Sequence, residues 1–178
     1  MKKDKNIRSK KSAHKVALYG TMTALAMIFG YIEHLIPFSI GIYGIKLGLA
    51  NIAVVIMLYT VSPIAAFAIN MLRILLCGVL FGNIFSLVYS LTGGVFSFIA
   101  MLIAKKLFKF SCVGVSIIGG ITHNMGQLLA AAVLLDQLKI MFYFPVLLVS
   151  GAVAGALIGM ISLPVSSRIS KLYKKLSR

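Results

Sequence analysis

The sequence predicts an all-α membrane protein of about six transmembrane helices. Three observations carry that prediction. Of 178 residues, 60% are hydrophobic and only 12% are charged, whereas a soluble domain is about half apolar and about a quarter charged. Mean hydropathy is +1.02, so there is too little polar surface to cover a globule in water. The positive charge is gathered into three clusters that flank apolar runs.

Residues 1–15 read as a basic tail, 16–164 as the transmembrane domain and 165–178 as a second basic tail. The apolar run from Val16 to Ile36 is too long for the core of a signal peptide, and no small-x-small cleavage site follows it. It therefore reads as a retained first helix, closed by Pro37. The stretch Phe38 to Lys46, with Gly41 and Gly44, reads as a re-entrant or interfacial loop. A second helix is expected over 47–61, short for a crossing. A third is expected over 63–81, with Pro63 in its first turn, where a missing N–H costs nothing. After the Gly82-Asn83 turn a fourth helix spans 84–104. Lys105, Lys106 and Lys109 make a basic loop, and a fifth helix spans 113–135. A short loop over 136–139 leads to a sixth helix over 142–163, ended by Pro164.

Charge orients the bundle. Fifteen of the 18 Lys and Arg lie in the N-terminal tail, the loop after the fourth helix and the C-terminal tail. An even number of spans puts all three on one side, and the positive-inside rule makes that side the cytoplasm. Both termini are then cytoplasmic, in a bacterial plasma membrane. The same rule accounts for the net charge of +15 through membrane lipids, with no nucleic-acid partner implied. Cys77 and Cys112 fall in or beside apolar spans without metal-ligand spacing, so they read as small packing residues. No metal site, cofactor or catalytic residue is expected.

Polar groups at membrane depth are the candidate site. Arg73 lies mid-span, where a charge costs about 2.5–3.5 kcal/mol on insertion scales, and Asn70 shares its helix face. Arg73 reads either as a ligand-binding group or as a structural arginine bonded to backbone carbonyls and Glu33. His123, Asn124 and Gln127 form a polar stripe in the fifth helix, serving either a lined cavity or interhelical hydrogen bonds. Glu33, His34, Lys46, Asn51 and Asn83 gather toward the outer half, as interfacial residues or as the mouth of that cavity. A cavity with these groups suits an anionic or strongly hydrogen-bonding small molecule. Small residues recur at Gly151, Gly155 and Gly159, and again at Ala13, Ala17, Gly20 and Ala24. Close helix packing within the fold explains both stripes, and a docked partner subunit is the other reading of the second.

Three motifs, Gly44-Ile-Lys-Leu-Gly-Leu-Ala-Asn-Ile52, Phe81-Gly-Asn-Ile-Phe-Ser86 with Tyr89-Ser-Leu-Thr-Gly-Gly94, and Thr122-His-Asn-Met-Gly-Gln127, resemble the membrane family called heptaprenyl diphosphate synthase component I, or Gx transporter. The likeness covers roughly residues 15–164. That family is similar in turn to the substrate-binding S components of energy-coupling factor (ECF) transporters. The resemblance implies a six-helix S-component-like bundle that captures a small molecule and works with a coupling membrane subunit and ATPases. It implies docking of the coupling subunit through the small residues of the first helix. Its alternative implication is a non-catalytic membrane subunit or scaffold for isoprenoid or quinone synthesis, or for flavin-based extracellular electron transfer. Catalysis by this chain is not expected. Prenyl diphosphate synthases hold magnesium with aspartate-rich motifs, and magnesium wants carboxylates beside substrate phosphates. Asp4, Glu33 and Asp136 are the only acids, no two adjacent, and no Gly-Lys-Ser/Thr phosphate loop occurs.

Overall fold

A computed structural model describes residues 2–35 and 48–177. The described chain is helical throughout its ordered elements: α1 Lys2–Leu35, α2 Asn51–Thr60, α3 Pro63–Phe81, α4 Ile84–Lys106, α5 Cys112–Leu134, a 3₁₀ helix Leu138–Tyr143, and α6 Phe144–Ser177. Five of the helices are long and apolar enough to cross a membrane. The large apolar side chains that stay exposed, such as Ile64, Val79, Phe142 and Val149, face outward all round, as lipid requires of an all-α bundle.

Local chemistry sets the helix ends. The Ser62 hydroxyl accepts from the Ala65 N–H at 3.1 Å, with Pro63 as the first helical residue of α3. Asn83 Oδ1 accepts from the Ser86 N–H at 2.8 Å and starts α4. Ser111 does the same for α5 through the Gly114 N–H at 3.2 Å. Asp136, at φ 49°, ends α5 in the left-handed region, where the Gln137 N–H reaches the Ala132 carbonyl at 3.2 Å.

Two helices run further than the sequence suggests. α1 begins at Lys2, so the backbone of the basic tail is itself helical. Residues 2–15 contain no glycine or proline, and Lys, Arg and Ala are good helix formers. α6 continues through Pro164 to Ser177 instead of stopping there. Proline removes one hydrogen bond, but burial resumes beyond it: Ser166 is buried and Ile169 packs on the core. Packing on both sides therefore carries the helix past the proline.

α2 is shorter than the expected 47–61. Its ten residues span about 15 Å, half of a hydrocarbon core of about 30 Å. Gly48 at φ +70° turns the chain into it, with the Asn51 N–H donating to the Gly48 carbonyl at 2.8 Å. Every residue from Ile52 to Leu58 is buried, against α1, α3, α5 and α6. The expected loop over 38–46, with Lys46 and Pro37, lies outside the described residues.

Contacts define two ends of the bundle. At the first, Lys105 donates to the Leu58 carbonyl at the end of α2, and the Tyr59 hydroxyl donates to the Phe110 carbonyl at 3.2 Å. At the second, Tyr31 near the end of α1 packs on Phe81 at the end of α3, centroids 4.8 Å apart. α5 and α6 form the tightest pair. A methyl group on Gly120 would strike the Gly151 carbonyl, one on Gly155 the Ser116 carbonyl, and one on Gly159 would lie 2.6 Å from the Val113 Cα. The α6 glycines thus serve packing within the fold. Cys77 also packs, its sulfur 3.2 Å from where a Gly30 Cβ would stand.

Candidate functional site

Arg73 sits halfway along α3, ten residues past Pro63. Its Nε and Nη2 donate to Asn70 Oδ1 at 3.2 and 3.0 Å, and Nη2 also donates to Asn51 Oδ1 at 2.7 Å. Asn70 is only 2% exposed, and its Nδ2 donates to the Gly94 carbonyl of α4 at 3.1 Å. Asn51 is the first residue of α2. The guanidinium is thus held by two neutral amide oxygens, one from its own helix and one from the start of the half-length helix.

Glu33 approaches the same place from α1. Its Oε1 accepts from the Leu49 N–H at 3.0 Å, beside the start of α2. It interacts with Arg73 through charge, yet no direct ion pair joins the two among the described residues. No carboxylate is in contact with Arg73 among the described residues, and its side chain is only partly covered while Asn70 and Ile74 beside it are buried. A cation fixed at mid-depth, with a fork only partly occupied, can accept a carboxylate or phosphate oxygen.

The fifth-helix residues divide between two faces. His123 and Gln127 lie against α4: a Cβ on Gly93 would come 3.1 Å from His123 Cε1 and 2.8 Å from Gln127 Cγ. Asn124 is 5% exposed and turns to α6, donating to the Leu147 carbonyl at 2.7 Å and the Ser150 hydroxyl at 3.3 Å. Among the described residues α3 and α5 share no contact, and α4 lies between them. The adjacent glycines bridge the gap. Gly94 receives Asn70 and Ile74, whereas Gly93 receives His123 and Gln127. These two glycines escaped the reading of polar residues. A Gly-Gly pair inside an apolar span is the signal that points to them, because each removes a side chain where another helix must approach.

The remaining candidates stand apart. Asn83 is exposed and caps α4. His34 is exposed in the last turn of α1. Lys46 lies outside the described residues. Ala13, Ala17, Gly20 and Ala24 are all exposed on α1, and a Cβ on Gly20 would meet nothing within 4 Å. No group of three His, Cys, Asp or Glu side chains could hold a metal ion among the described residues.

An all-α, multi-pass membrane bundle with a buried half-length helix and a polar cluster at mid-depth is the class of protein these features define. The chain belongs to the family described as heptaprenyl diphosphate synthase component I, whose profile matches residues 22–164. That span takes in α2 to α5 with every residue bonded to Arg73. No curated protein and no solved structure matches the chain.

Proposed function

We propose that this chain is a substrate-capturing membrane transport component that holds a small anionic or polar molecule at mid-depth, with Arg73 as its anchor. The observation that carries the reading is the bonding of Arg73: its guanidinium donates only to the amide oxygens of Asn70 and Asn51 among the described residues. A purely structural arginine in a membrane interior is expected to be sealed and neutralised. In this reading Asn70 and Asn51 aim the fork, whereas His123 and Gln127 pack on Gly93 across α4 and are not assigned to the anchor. Glu33, His34 and Lys46 belong to the mouth of the site. Asn124 and Asn83 act on the fold, through α6 and the start of α4. Release would require a coupling membrane subunit and ATPases, docked along Ala13, Ala17, Gly20 and Ala24. The exposed small face of α1 supports that surface.

The test is purification in native lipid, with mass spectrometry of the co-purifying small molecule, on the parent chain and on Arg73→Lys. Lysine keeps the charge and loses the planar fork. We expect Arg73→Lys to insert and fold while retaining the molecule about tenfold less well. Normal retention by Arg73→Lys, together with failure of Arg73→Ala to fold, would make the arginine structural.

The family's description favours a second reading, a non-catalytic membrane partner of an isoprenoid-making enzyme. Under it the native-lipid preparation carries a prenyl synthase subunit and no small molecule dependent on Arg73.

A further inference from the structure

A second site lies at the end of the bundle where α4 turns into α5. Ala100, Ile103 and Ala104 of α4, Phe108 and Phe110 of the loop and Ile118 of α5 line a groove of about 270 Å³. All six are apolar. The loop that closes the groove is built rather than loose. The Phe110 N–H donates back to the Ala104 carbonyl at 3.2 Å, and the Phe110 carbonyl accepts from Tyr59 at 3.2 Å. Lys109 takes φ 51°, a left-handed conformation uncommon for a lysine. Phe108 and Phe110 stack at 5.7 Å yet stay 63% and 46% exposed.

Three lysines, Lys105, Lys106 and Lys109, are interleaved in sequence with the lining residues and have different duties. Lys105 is committed to the Leu58 carbonyl and lies 4.5 Å over the Tyr59 ring. Lys106 and Lys109 are exposed, and no acidic residue occurs between Glu33 and Asp136. α4 runs 23 residues to reach this point, about 35 Å, so the loop stands at the level of the lipid headgroups. Exposed aromatic rings between lysines suit that level.

We propose that this groove holds a chain of an anionic phospholipid, with its phosphate against Lys106 and Lys109. An open slot lined only by apolar side chains fits an acyl chain. Two exposed lysines in the segment beside the groove, with no acidic residue in the sequence from Lys46 to Leu135, favour a negative headgroup over a zwitterionic one. The proposal is independent of the Arg73 reading: it concerns other residues, on the far side of α4's last turns.

The test reconstitutes the full chain in phosphatidylcholine nanodiscs containing a photo-crosslinkable phosphatidylglycerol, against a matched phosphatidylcholine probe. The parent chain should favour the anionic probe, with crosslinks in residues 100–118. Lys106→Gln and Lys109→Gln should each lower that preference about fivefold, whereas Lys139→Gln, in the 3₁₀ helix, should leave it unchanged. Ala100→Phe should reduce labelling by both probes in the groove while the protein stays folded by circular dichroism. Equal labelling by the two probes, labelling unaffected by Ala100→Phe, or equal loss with Lys139→Gln would overturn the proposal. Displacement of the probe by farnesyl diphosphate but not by excess phosphatidylglycerol would also overturn it, in favour of an isoprenoid occupant.

Discussion

Asn70 does two jobs with one amide. Its oxygen receives Arg73 twice while its nitrogen donates to the Gly94 carbonyl. Removing it takes away half of the guanidinium's support and the second hydrogen bond on the Gly94 carbonyl, which lies in mid-α4. Asn70→Ala should therefore cost about 1.5–3 kcal/mol, the worth of hydrogen bonds to a charged group. Thermal unfolding in detergent measures it, and a loss below about 0.5 kcal/mol would show that Asn70 does not hold Arg73. The Arg73–Asn70 pairing was legible from their three-residue spacing. The role of Asn124 was not. Adjacent helical residues point about 100° apart, so His123 and Asn124 cannot share a neighbour. Only the position of α6 decides which of them it receives.

At the scale of elements, the small residues separate into two kinds. Gly151, Gly155 and Gly159 are pressed against α5, with no room for a Cβ. The stripe on α1 touches nothing at Gly20. Gly155→Leu should lower stability by about 1–3 kcal/mol or more through overpacking, whereas Gly20→Leu should change it by no more than about 0.5 kcal/mol. If Gly20→Leu leaves the folded chain intact but abolishes co-purification of a membrane subunit, the α1 face is the docking surface. If both variants unfold alike, the distinction between the seams is lost. The spacing of these residues was visible in the sequence, but their partners were not, because spacing alone does not say which helix lies opposite. Pro164 misled for a related reason: local propensity argues for a stop, and burial beyond it overrides propensity.

For the whole molecule, the contacts at Leu58, Tyr59, Lys105 and Phe110 put the end of α2 beside the α4–α5 loop. Gly159 beside Val113 brings the later part of α6 to the same end. Tyr31 on Phe81 sends α1 from that end to the other. All three basic clusters therefore converge on one end of the bundle, which agrees with the charge pattern and with an in–in arrangement. Reporter fusions after position 178 and within the Gly82-Asn83 turn should show opposite sidedness, with the 178 fusion cytoplasmic. Matching sidedness would break the even-crossing topology. The all-α class and the long apolar helices were readable because lipid enforces length and apolarity. Which polar groups meet was not readable, because that depends on the rotation of each helix.

α2 has a consequence for how the protein is made. A ten-residue helix falls well below the length that partitions into a bilayer unaided, so hydrophobicity alone does not commit this segment to the membrane during synthesis. Its backbone ends are satisfied by groups that arrive at different times: Glu33 from upstream holds Leu49, and Lys105 from downstream holds Leu58. Its buried face is completed by α6, the last helix to be translated. The segment that supplies Asn51 to Arg73 therefore completes its packing only after α6 has been translated.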